Sequence, residues 1–205
     1  MNRIEYSSMP PVLELVKKRG FVVFEDGDFD LNIIGLRKLS NRESNLFDDE
    51  IHIVYKMGDI WIDEFCACTT DPGAYWLQKE DYKPCAIYYH DQQARGAYQI
   101  GLHRGKPALR QIKPVKFWRD GNKDLHLDFQ GPVFEDIIYV NIHRAGMSPE
   151  GSHFVDKWSA GCIVLKLSRD MDRLLELAQL QVDCLGYKTF SFCLLGVKNG
   201  SEYNT

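Results

Sequence analysis

Residues Ser168 to Leu195, SRDMDRLLELAQLQVDCLGYKTFSFCLL, change period halfway, and that change decides the fold class. Met171, Leu174, Leu175, Ala178, Val182 and Leu185 recur at helical spacing, with Ser168 placed to cap the helix and Gly186 to stop it. Thr189 to Leu195 then reads as a strand, which predicts a helix packed on a sheet.

Toward the N-terminus, strand-like runs recur at Phe21–Phe24, Leu31–Leu36, Ile51–Tyr55, Ile60–Ile62, Gln99–Leu102, Val115–Trp118, Leu125–Phe129, Ile137–Ile142 and Ile163–Leu167. A short helix is predicted from Val12 to Arg19, with Pro11 suited to its first position and Gly20 to its stop. Thr69-Thr70-Asp71-Pro72-Gly73 reads as a turn, and Asp120-Gly121-Asn122 as the connection between two strands. The expected class is mostly β with one packed C-terminal helix (α+β). Residues 1–68 are read as an N-terminal helix plus strands integrated with a main unit at 69–197, and 198–205 as a polar tail.

At 205 residues the chain has room for one domain with a small elaboration. Its 25 Lys and Arg against 29 Asp and Glu supply no basic field for a phosphate backbone, so nucleic acid is not an expected partner. No apolar run approaches the roughly 18 residues that span a bilayer, and the first residues lack the apolar core of a secretory signal. Synthesis in the cytoplasm without membrane insertion is the expectation.

None of the six cysteines forms a C-x-x-C pair, and the histidines lack H-x-x-x-H spacing, so no metal site is expected. Asp26-Gly27-Asp28-Phe29-Asp30 fails as a calcium loop, since Leu31 and Arg37 stand where glycine and glutamate are needed. Cys66 and Cys68 read as half-buried thiols of one strand face, and Cys184 and Cys193 as packing residues. Cys162 stands apart.

Alternation in Ile138-Tyr139-Val140-Asn141-Ile142-His143 sends Tyr139, Asn141 and His143 to the face opposite Ile138, Val140 and Ile142. The strand thus ends on a histidine, followed by Arg144-Ala145-Gly146. Nineteen residues after His143 comes Cys162, within Trp158-Ser159-Ala160-Gly161-Cys162-Ile163. Small residues before a cysteine let backbone N–H groups crowd one point, as an oxyanion hole requires. A free thiol has a pKa of about 8.5 and needs a base to become a nucleophile at neutral pH, and His143 is the natural partner. On spacing alone, a packing cysteine and a surface histidine remain the alternative.

Ser159-x-Gly161-Cys162, preceded by a strand ending in His143, resembles the catalytic signature of the L,D-transpeptidase (YkuD-like) family. The stretches Gly105-Lys106-Pro107-Ala108-Leu109 and Asn141 to Gly146 look like a branch seen among phage and prophage proteins. The resemblance implies a β-sandwich or barrel catalytic domain that works without metal or organic cofactor. It implies that Cys162 attacks a peptidoglycan stem peptide, His143 moves the proton, the N–H groups of Gly161 and Cys162 hold the oxyanion, and Ser159 fixes the loop or the histidine. The thioester then passes to an amine or to water.

The chain departs from the family pattern at Arg144, where glycine is usual, at Val164, where arginine is usual, and at Ala160, where histidine or arginine is usual. Arg144 is therefore the candidate carboxylate anchor, on the expectation that it turns outward beside the nucleophile. Asn141, Tyr139, Trp158 and His103 are the other candidate substrate contacts, His103 lying on a basic loop with Arg104 and Lys106. The expected partner is the peptidoglycan stem peptide, reached after lysis, phage delivery or dedicated secretion. The competing reading is an inactive wall-binding or structural module of a virion or secretion particle. The residues leave the oligomeric state open.

Overall fold

A computed structural model describes residues 1–40 and 44–198. Apart from Lys198, the tail expected at 198–205 lies outside the described residues. In chain order the elements are β1 (Asn2–Tyr6), α1 (Pro11–Lys18), β2 (Asn32–Lys38), β3 (Asp49–Met57), β4 (Ile60–Thr69), α2 (Ala74–Gln78), β5 (Cys85–Tyr88), β6 (Gln92–His103), β7 (Lys106–Gln111), β8 (Val115–Asp120), β9 (Phe134–Asp136), β10 (Ile142–Arg144), β11 (Ile163–Leu165), α3 (Ser168–Leu185) and β12 (Phe190–Val197).

Eight strands close a barrel in the order β4-β11-β10-β7-β6-β12-β2-β3, with β3 returning to β4. β1 lies on the edge of β4 that also receives β11, and β5, β8 and β9 form a separate small sheet. Closure leaves the barrel no open edge. Strands from both sides of residue 68 share it, and a division at 69 falls within β4.

The interior is apolar because each strand alternates. Ile33, Ile51, Ile53, Tyr98, Leu109, Ile142, Ile163, Leu165, Phe192 and Leu194 face one another, and α3 adds Met171, Leu174, Leu177 and Ala178. The other side of β2 and β12 packs Ile34, Leu36, Cys193 and Leu195 against Val12, Leu13, Leu15 and Val16 of α1. Pro11 stands at the first turn of α1, and Gly186 ends α3 at φ 73°.

Several expectations are corrected. Phe21–Phe24 is not a strand: the Val22 N–H donates to Gln93 Oε1 and Gln93 Nε2 donates to the Val22 carbonyl, so one side-chain amide stands in for a pairing partner. Leu125–Phe129 does not form one of the extended strands; the Asp128 N–H donates to Asp120 Oδ2, and β8 pairs with β5 and β9. The strand expected at Ile137–Ile142 begins only at Ile142, because Tyr139 takes φ 60° and breaks the alternation. Ser168 caps nothing, and its Oγ accepts from Arg144. Cys66 and Cys68 are buried in the core cluster rather than half-buried, whereas Cys184 is exposed rather than packed. No local pattern marks β1, β5, β7, β9 or α2.

Candidate active site

β10 and β11 are parallel neighbours, with Ile142 opposite Ile163 and His143 opposite Val164. Parallel neighbours need a long crossover, here residues 145–162. Asn141, His143, Cys162 and Val164 therefore share the side away from the interior, while Ile142, Ile163 and Leu165 point in. The Ile163 N–H donates to the Asn141 carbonyl at 3.0 Å, which sets Cys162 beside Asn141, diagonal to His143.

A ring nitrogen of His143, one of His103 and the Cys162 sulfur all lie within 4.8 Å of one another. His143 is buried, and its Nδ1–H donates to the Arg144 carbonyl at 2.9 Å. That bond places the proton on Nδ1 and leaves Nε2 as a lone pair with no hydrogen-bond partner among the described residues. Burial, then the neighbouring His103, lowers the His143 pKa to about 4, with Arg104 adding to the effect and the Arg144 carbonyl opposing it. Burial pushes the Cys162 thiol up to about 11, partly offset by the Asn141 backbone N–H and by Arg104. At neutral pH the pair is therefore a thiol beside a neutral imidazole. The Cys162 sulfur rests 3.6 Å from the Tyr139 carbonyl, a weak contact of a protonated thiol.

Ser159 latches the loop before the cysteine. Its buried Oγ accepts from the Gly161 N–H at 3.0 Å and donates to the Cys162 carbonyl at 2.8 Å. Gly161 is thus corrected as an oxyanion donor, because its N–H is already bound. The Cys162 N–H has no partner among the described residues and is the donor left for an oxyanion. Gly161 is needed for another reason: its φ is 128°, and a Cβ there would lie 2.3 Å from the Ala86 carbonyl oxygen of β5. The latch is braced from outside. The Gly73 N–H donates to the Ser159 carbonyl, and Asn45 Oδ1 accepts the N–H groups of both Ala74 and Asp156.

Two cavities flank the pair. One of about 290 Å³ lies on the His143 side, lined by His103, Arg104, Lys106, Pro107, Met147 and Trp158. A smaller one of about 140 Å³ on the Cys162 side is lined by Tyr82, Lys83, Arg119, Tyr139 and Ala160 among others. Trp158 and His103 thus border one cavity and exposed Tyr139 the other, whereas Asn141 is buried and braces His103. Tyr139 does not share a strand face with Asn141 and His143. Arg144 does not turn outward: it is buried, donating to Ser168 Oγ and to Asp172 Oδ1, each at 2.7 Å. Val164, where the L,D-transpeptidase signature has arginine, is buried in an apolar cluster with Phe47, Ala145 and Val155. Lys83 and Asn45 carry no motif that marks them, since each comes to the site from a distant element, and Arg119, whose pattern with Asp120 reads as a structural hairpin head, lines the cavity beside Cys162.

His103, His143 and Cys162 are also residue types that hold transition metals. The two imidazole planes are only 5° from parallel, so their in-plane lone pairs cannot converge on one ion.

No family model, curated protein or solved structure matches the chain. Among the described residues, no helix is long and apolar enough to cross a membrane.

Proposed function

We propose that the protein is a cysteine acyltransferase or hydrolase acting on peptidoglycan stem peptides. One observation carries the reading: a buried histidine with its Nδ1 proton fixed and its Nε2 lone pair free sits beside a cysteine at the entry to the adjoining parallel strand. In the reaction, the Cys162 proton passes to His143 Nε2 as the sulfur attacks the peptide carbonyl carbon. The oxyanion takes a hydrogen bond from the Cys162 N–H, and Arg104 supplies positive potential nearby. Collapse breaks the C–N bond, and His143 returns the proton to the leaving amine. An incoming amine or water then gives a proton to His143 and attacks the thioester, and the departing sulfur is reprotonated. The resemblance of Ser159-x-Gly161-Cys162 and His143 to the L,D-transpeptidase signature supports the choice of substrate and a site of action at the cell wall.

The test is incubation with defined muropeptides and mass analysis of the products. Products that depend on Cys162 are expected from the wild type and absent from Cys162→Ala. Muropeptides bound but left unchanged would overturn the enzymatic reading.

A further inference from the structure

His143 carries a second imidazole on its face. His103, at the end of β6, lies parallel to it with ring centroids 4.1 Å apart. The surrounding contacts determine where the His103 proton sits. The Gln111 N–H donates to Asn141 Oδ1 at 3.0 Å, so it is the Asn141 amide nitrogen that faces His103 Nδ1, at 2.9 Å. A ring nitrogen facing an amide N–H must offer its lone pair. His103 therefore keeps its proton on Nε2, and a second proton on Nδ1 would break the Asn141 contact. Gln111 is held in turn: its Oε1 accepts the N–H groups of Ile138 and Val140. The brace thus runs from β7 through Asn141 to a neutral ring lying flat on the base.

We propose that His103 is a positioning residue for His143, locked neutral by Asn141 and stacked on the imidazole so that the lone pair of Nε2 stays aimed at Cys162. This rests on the reading of Cys162 and His143 as a catalytic pair. The physical need is plain. The hydrogen bond to the Arg144 carbonyl holds one edge of the His143 ring, and a ring lying flat on its face resists any swing about the Cβ–Cγ bond. Neutrality matters equally, because His143 becomes a cation when it takes the thiol proton, and a charged neighbour at this separation would oppose the transfer.

Two measurements test it. Two-bond proton–nitrogen correlation spectra of histidine-labelled wild-type protein at pH 7 should show His103 protonated on Nε2 and His143 on Nδ1. A charged His103, or one protonated on Nδ1, would overturn the proposal, and this reading needs no variant to fold. Alkylation of Cys162 by iodoacetamide near neutral pH reads the pair without any peptide substrate. His103→Ala should slow it by about tenfold to a hundredfold, whereas His103→Phe, which keeps a flat neutral ring, should stay within about threefold of wild type. Equal slowing in both variants, or none in His103→Ala, would reject positioning by the stacked ring. Alkylation as fast in His143→Ala as in wild type would instead reject the catalytic pair itself.

Discussion

The Nδ1–H of His143 donates to the carbonyl oxygen of Arg144, its own neighbour in the chain, while the Arg144 side chain runs to Ser168 and Asp172 on α3. One residue therefore does two things. Its backbone orients the base, which no side-chain substitution removes, and its guanidinium ties β10 to the first turn of the helix.

The first prediction concerns pH. With His143 lowered to about 4 and Cys162 raised to about 11, both groups hold their working protonation states across the neutral range. On muropeptides, kcat/KM should be level from about pH 6 to 9 and fall only below about pH 5, as His143 protonates. An acid limb centred near 6.5 would show that burial does not depress the base.

Arg144→Ala should act on stability. It leaves Ser168 Oγ without its donor and removes a charge-assisted bond to Asp172, whose carboxylate is largely exposed and adds less. A loss of about 1–3 kcal/mol is expected in chemical denaturation. Unchanged stability with a raised KM would restore the role of substrate anchor.

Ser159→Ala removes both bonds of the latch at once, leaving the Gly161 N–H and the Cys162 carbonyl without their partner. Each such loss costs about 1–3 kcal/mol when the group stays buried. The variant should melt lower and turn over substrate more slowly, with kcat falling more than KM rises, because the nucleophile's loop loses its fixed shape. A variant that melts like wild type would show that the latch contributes nothing.

Gly161→Ala should be the more severe change. The added carbon meets the Ala86 carbonyl at 2.3 Å and the backbone cannot relax away from φ 128° without moving Cys162. Loss of turnover together with a lowered melting temperature is expected, and wild-type values for both would refute the contact.

His52 titrates in the opposite sense from His143. Burial alone would lower the His52 pKa, but the Asp63 carboxylate 3.0 Å from its Nδ1, with Glu50 nearby, holds it up at about 9. A folded-state pKa above the unfolded value of about 6.5 contributes stability that is complete below 6.5 and lost as pH rises through 9. His52→Gln should therefore be destabilised most near pH 6, with the gap to wild type closing by about pH 9.5 in denaturant titrations. A gap independent of pH would assign it to packing alone.

The elements with strong periodicity were legible. α1 and α3 announce themselves through apolar spacing with Pro11, Gly20 and Gly186 at the ends, and β2, β3, β8 and β12 through β-branched and aromatic runs. The alternation of apolar and polar residues over Ile137–Ile142 is genuine and points to a strand, yet Tyr139 adopts a left-handed conformation. Gln111 accepts the N–H groups on either side of it, and a side chain supplied from β7 cannot be read from the local pattern.

The sequence by itself determined the mostly β class, the packed C-terminal helix and the positions of His143 and Cys162 on the outward faces of their strands. Those follow from short-range rules, since alternation and helical spacing are properties of neighbouring residues. Tertiary structure alone decided that β10 and β11 run parallel and bring the two side chains together, and that Arg144 faces α3. It alone decided that Gly161 gives its N–H to Ser159 and that His103 lies on the base. Each of these depends on which of several distant donors, acceptors and apolar surfaces is nearest once the barrel closes. Closure couples residues far apart in the chain, and no local pattern encodes which of them will meet.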